Sequence, residues 1–150
     1  MIANNQINYQ NIQRNELGLK GKQKMDFFLD SAETQEISKF HELGMIDGVT
    51  TNPSLIYKSK KPFRELVTEI CEITKGPVSV EATSNSNEKM IEEGFELAKI
   101  ANNVVVKLPM TWEGIKACKM LSKNKVQVNV TLCFSSTQAL LAAKAGATYV

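Results

Sequence analysis

The stretch Val104-Val105-Val106-Lys107-Leu108-Pro109 decides the fold. Three consecutive β-branched residues read as a strand buried on both faces, the pattern of a parallel sheet covered by helices rather than of a half-solvated antiparallel one. Pro109 blocks a helix at this point, so Lys107 stands at the end of the strand. Apolar walls disfavour an ammonium, and a neutral amine is a nucleophile. The plainer alternative is that Lys107 lays its stem on the apolar surface and keeps its charge in water. The rest of the chain bears on that choice.

Working outward, the same strand-then-helix unit recurs. Phe27-Phe28-Leu29 is a short apolar strand, beginning near Met25 and ending in Asp30; Ser31 offers an N-cap, and Ile37, Phe40 and Leu43 keep helical spacing until Gly44. Met45 to Thr51 forms a second strand with Asn52-Pro53 at its exit, and Pro62 opens a helix with Phe63, Leu66, Val67, Ile70 and Cys71 on one face. Val78 to Val80 leads to Glu81, followed by a polar loop and a helix whose inner face carries Met90, Ile91, Gly94, Leu97, Ala98 and Ala101. Beyond Lys107 a helix runs from about Trp112 to Leu121, capped by Thr111. Val126 to Val130 is a fifth strand ending at Thr131; Ser135 and Gln138 form a capping box on a helix that stops at Gly146, and Ala147 to Val150 starts a sixth strand. Residues 1 to 24 are polar and without period, so a disordered N-terminal extension is expected there, with residues 25 to 150 forming one domain.

Composition bounds the function. A chain of 150 residues with 43% hydrophobic and 23% charged residues has material for one domain. A net charge of +2 argues against nucleic acid or an anionic membrane as partner, and no apolar run approaches the roughly 20 residues of a membrane span. No secretory signal is visible, so a cytoplasmic protein is expected. Cys71, Cys118 and Cys133 are odd in number and widely separated, which fits buried thiols better than disulfides or a zinc site. His41 is expected to face solvent, Trp112 to pack on a neighbouring helix, and Lys58, Lys60 and Lys61 to lie in a solvated loop.

Alternation of strand and helix predicts right-handed βαβ units and a parallel sheet. A doubly wound nucleotide-binding sheet would carry a glycine-rich first turn, and no such sequence follows any strand here. A (β/α)8 TIM barrel places its chemistry on residues at the C-terminal ends of several strands. Asp30, Asn52, Glu81, Lys107 and Thr131 all sit at such ends. Brought to one mouth, the set makes chemical sense. Lys107 would form a Schiff base with a ketose carbonyl, the imine then serving as electron sink for carbon–carbon cleavage. Asp30 would take the proton from the hydroxyl that becomes an aldehyde, and Glu81, through a water held by Thr131, would shuttle protons. Thr51 and Asn52 would meet substrate hydroxyls. Each residue also has an ordinary structural use: a capping carboxylate for Asp30, an ion pair for Glu81, a helix start for Thr131 and a turn before proline for Asn52.

The segments Phe28-Leu29-Asp30, Asp47-Gly48-Val49-Thr50-Thr51-Asn52-Pro53-Ser54-Leu55, Val80-Glu81, Val105-Val106-Lys107-Leu108-Pro109-Met110-Thr111, Asn129-Val130-Thr131-Leu132 and Ser135-Ser136-Thr137-Gln138-Ala139-Leu140 closely resemble the small transaldolase family, in order and without large gaps from Met25 onward. The resemblance implies a class I aldolase-type (β/α)8 barrel, with Lys107 as Schiff-base lysine, Asp30 as acid/base, and Glu81 with Thr131 as water-mediated relay. It also implies transfer of a dihydroxyacetone unit from sedoheptulose 7-phosphate to glyceraldehyde 3-phosphate in the non-oxidative pentose phosphate pathway, without metal or cofactor, in a family that forms homo-oligomers. The related fructose 6-phosphate aldolases carry glutamine where this chain has Glu81, which favours transaldolase over that alternative.

Against the resemblance, the sequence stops in its sixth strand, whereas a closed barrel has eight and about 250 residues. The family's phosphate site is expected after the sixth and seventh strands. A truncated inactive remnant, or one piece of a split enzyme, is therefore the competing expectation. An unclosed parallel sheet is also expected to be marginally stable or prone to aggregate unless it pairs.

Overall fold

The computed structural model describes residues 26–150. The expected N-terminal extension, residues 1 to 24, and the strand start at Met25 lie outside the described residues. In chain order the elements are β1 (Phe28–Asp30), α1 (Thr34–Glu42), β2 (Gly48–Thr50), α2 (Pro53–Lys58), α3 (Phe63–Thr74), β3 (Val78–Glu81), α4 (Asn87–Ala98), β4 (Val104–Pro109), α5 (Trp112–Lys123), β5 (Val128–Thr131) and α6 (Ser136–Ala145). The five strands form one sheet in sequential order, every pair parallel. Beyond α6, Tyr149 bridges to Asn129, and Val130 N–H donates to the Tyr149 carbonyl at 3.0 Å, so a sixth strand begins there. The architecture is that of an incomplete (β/α)8 barrel.

The strand period of two divides the sheet into two faces. Val104, Val106 and Leu108 pack in the core with Val49, Val78, Val80, Val128 and Val130, beneath the helices that supply Ile37, Leu66, Ile70, Leu97 and Leu121. Val105 and Lys107 therefore point the other way. Register carries that inner face across the sheet: Asp30 is level with Thr50, Thr50 with Ser79, Ser79 with Val105, Glu81 with Lys107, and Lys107 with Asn129. Thr131, two residues beyond Asn129, shares it. Gly48 is on this face as well; a Cβ there would lie 2.5 Å from Phe28 Cε1 and 2.6 Å from the Pro77 carbonyl oxygen, so only glycine leaves room for the inward phenyl ring.

Several boundaries differ from expectation, each for a local reason. Ser31 does not cap α1, which starts at Thr34; its hydroxyl instead accepts from Glu33 N–H at 3.1 Å and donates to Glu36 Oε2 at 2.7 Å, closing the turn between strand and helix. The six-residue α2 was not expected, being too short to show a period, although Asn52 at its N-cap and Pro53 at its first position are the residues that start helices. The second strand begins at Gly48 rather than Met45, because Met45 N–H returns to the Phe40 carbonyl and still belongs to the helix exit. The fifth begins at Val128, since Val126 N–H closes onto Leu121. Ser135 Oγ accepts from Gln138 N–H, but the Gln138 amide oxygen accepts from Phe134 N–H at 2.7 Å, one residue earlier than a capping box predicts. Trp112 is 81% exposed rather than packed away, lining a cleft with Leu141, Lys144 and Ala145 of α6, and Phe63 is likewise exposed. His41 is half-buried rather than solvent-facing, with its Nδ1 shielded and unpartnered.

Candidate active site

Lys107 is only 8% exposed. Register sets Glu81 beside it on β3, and Nζ lies 2.9 Å from Glu81 Oε2. Nζ also donates to the Thr51 carbonyl at 2.7 Å. That carbonyl is aimed inward because the N–H and the hydroxyl of Thr51 both donate to the Ser79 carbonyl, each at 2.9 Å, fixing the residue from behind. The valine run thus encloses the stem of Lys107, while its amine meets two acceptors, as a buried amine must.

Asp30 stands exposed at the end of β1, and Thr50 Oγ1 donates to its Oδ1 at 3.1 Å. It shares the inner face with Lys107 three strands away, without touching it. Thr131 lies two strands from Glu81 and one register step beyond Lys107, its carbonyl accepting from Met110 N–H at 2.8 Å. Thr51 offers the site its carbonyl, its hydroxyl being buried against Ser79. Asn52 spends its amide oxygen on Leu55 N–H at 3.0 Å as the cap of α2.

Two inner-face residues were missed by sequence reasoning. Asn129 Nδ2 donates to Ser79 Oγ at 3.0 Å, reaching across β4 on the face that carries Lys107. The signal was present in Val78-Ser79-Val80-Glu81 and Val128-Asn129-Val130-Thr131, where polar side chains alternate with valines.

The loop after Glu81 is tied down by two carboxylates from the helix layer. Glu93 accepts from Thr83 N–H (2.9 Å), the Thr83 hydroxyl (3.1 Å) and Ser84 N–H (3.0 Å). Partial burial works against its charged form, but these hydrogen bonds outweigh it and hold the carboxyl below the usual range. Glu113 accepts from Lys116 Nζ at 2.7 Å and from Asn87 Nδ2 at 2.6 Å and N–H at 3.2 Å; the lysine first, then the asparagine, pull its carboxyl down to about 2. Among the described residues no three His, Cys, Asp or Glu side chains gather as a metal site would require, and no helix is long and apolar enough to cross a membrane.

A parallel α/β sheet curled toward a barrel, with a buried lysine paired to glutamate and an aspartate at the strand ends, defines a protein of the (β/α)-barrel class. The family model for transaldolase/fructose-6-phosphate aldolase matches residues 27–150. A probable transaldolase of Hyphomonas neptunium is 60% identical over 126 residues, covering 84% of this chain and 58% of that protein. One from Roseobacter denitrificans is 59% identical over the same length and coverage, and one from Leptospira biflexa 56% over 84% of this chain and 59% of its own. The chain belongs to the transaldolase/fructose-6-phosphate aldolase family. It spans a little under three fifths of the length of these curated relatives.

Proposed function

We propose that the chain carries the Schiff-base chemistry of a transaldolase. The Lys107 amine adds to the carbonyl carbon of a ketose phosphate, and loss of water gives the imine. An attacking amine must first lose a proton, and Glu81, 2.9 Å from Nζ, receives it in this reading. Asp30 then removes the proton of the hydroxyl two carbons from the imine; the carbon–carbon bond breaks, its electron pair passes into the enamine, and the shortened aldehyde leaves. The enamine carbon attacks the acceptor aldehyde, and water returns the amine with a dihydroxyacetone unit transferred. Glu81, through a water at Thr131, serves the dehydration and hydrolysis steps. Sedoheptulose 7-phosphate as donor and glyceraldehyde 3-phosphate as acceptor place this in the non-oxidative pentose phosphate pathway of the cytoplasm.

The observation that supports this most is the amine of Lys107, buried and held between Glu81 and Thr51 on the same face as Asp30. Borohydride reduction in the presence of fructose 6-phosphate, read by intact mass and peptide mapping, tests it. An adduct on Lys107 that Lys107→Arg lacks is the expected result. No adduct on folded protein defeats the mechanism and leaves the reading of a chain without Schiff-base activity. Aldehyde release without an acceptor would instead identify a fructose 6-phosphate aldolase, the other activity in the family's description.

A further inference from the structure

The helix layer carries a second cleft, away from the strand-end residues. α5 turns Gly114, Ala117, Cys118 and Leu121 inward, so Trp112, Ile115 and Lys119, at i, i+3 and i+7, fall together on another face of the helix. α6 packs beside α5, and between them lies a cleft of about 400 Å³ whose other wall is made by Leu141, Lys144 and Ala145. Lys107, Glu81, Asp30 and Thr131 do not line it. Trp112 and Leu141 stand exposed on its two sides.

This cleft has two unlike ends. α5 and α6 each return the chain from the end of one parallel strand to the start of the next, so they run the same way. Lys119 is the eighth residue of α5 and Lys144 the ninth of α6, which puts the two lysines on opposite walls at nearly one level, about 10 Å along the axis from Trp112. The ion pairs among the described residues use neither lysine, and no carboxylate of a described residue lines the cleft. Between the ends Ile115, Leu141 and Ala145 offer only hydrocarbon, and the Thr111 hydroxyl is used as the cap of α5, accepting from Gly114 N–H at 3.0 Å. A peptide or a nucleotide base laid along this surface would gain no protein partner for its polar edges. A ligand charged at one end only, and negative there, matches the pattern.

We propose that the α5–α6 cleft binds a single-chain anionic amphiphile, a medium-chain carboxylate with its head between Lys119 and Lys144 and its chain running over Ile115 and Leu141 to the indole of Trp112. The proposal does not rest on the catalytic reading. Trp112 is the only tryptophan of the chain, so its emission reports on the cleft directly. Titration of the full chain with sodium decanoate, at neutral pH and below its micelle concentration, is expected to give a saturable blue shift, with decanol and decyltrimethylammonium binding about tenfold or more weakly. Lys119→Gln and Lys144→Gln change exposed side chains; each is expected to weaken decanoate binding about threefold and the two together about tenfold. Leu141→Asp is expected to abolish the shift with the circular dichroism unchanged. No saturable shift in the parent, decanol bound as tightly as decanoate, or a double variant that binds like the parent overturns the proposal. So does a shift produced by phosphatidylglycerol vesicles and not by dissolved decanoate, which would set this face against a lipid surface instead.

Discussion

The ring of Phe28, on β1, meets the ring of Tyr149, beyond β5, edge to face with centroids 5.3 Å apart and planes at 66°. In a flat sheet those two positions would be separated by five strand spacings, about 24 Å. The contact therefore measures how far the sheet has curled. Curling turns the inner face concave and brings the strand-end side chains of β1, β3, β4 and β5 toward one mouth, which no pair of neighbouring strands achieves alone.

Gly48 is what admits the Phe28 ring. Gly48→Ala would place a methyl 2.5 Å from Phe28 Cε1 and 2.6 Å from the Pro77 carbonyl oxygen. Urea denaturation is expected to show a loss of about 1–3 kcal/mol. Adding Phe28→Leu should recover only part, because the Pro77 oxygen is backbone and cannot move aside.

Glu81 and Asp30 should separate kinetically. Glu81→Gln removes the proton acceptor beside Lys107, and borohydride trapping with fructose 6-phosphate is expected to slow about a hundredfold. Asp30→Asn should trap at close to the parent rate while carbon–carbon cleavage falls about a hundredfold or more, since the carboxylate is needed for cleavage and not for addition. Equal loss of both steps in Asp30→Asn would contradict that division.

The clamp at Glu113 predicts a pH dependence. Its carboxyl, at 4.5 ordinarily, is pulled down to about 2 in the fold, so the unfolded chain takes up the proton first. The stabilisation is complete above about pH 4.5 and disappears as the pH falls toward about 2. Melting temperatures of the parent and Glu113→Gln, compared from pH 7 downward, should converge below pH 4.5. A constant gap would mean that the charge of Glu113 does not hold Asn87.

Thiol labelling should be selective. Burial pushes Cys71 up to about 11 and raises Cys118, and both thiols are enclosed. Cys133, partly exposed in the β5–α6 loop, should take one equivalent of iodoacetamide at neutral pH, with the other two labelled only in denaturant. Early labelling of Cys71 would indicate opening of the contact between α1 and α3.

The sheet and most of the helices were legible because their signals are local. Valine runs separated by helical spacings name strand, helix and order, and Pro109 ends β4 where the sequence ends it. The inner face was half legible. Lys107 and Glu81 were found as strand-end residues, yet Ser79 and Asn129 passed unnoticed because a polar residue within a valine strand shows its purpose only against its neighbours. Thr51 and Asn52 show the same dependence on neighbours: the Thr51 hydroxyl donates to the Ser79 carbonyl, and the Asn52 amide oxygen caps α2.

What the sequence determined by itself is what the chain's own geometry repeats: parallel strands alternating with amphipathic helices, and an amine at the end of an apolar strand. The tertiary structure alone decided what that amine meets. Thr51 lies 56 residues from Lys107, and Asn129 lies 50 from Ser79. Such partners are selected by strand register and by the curl of the sheet, quantities that no local pattern of side chains contains.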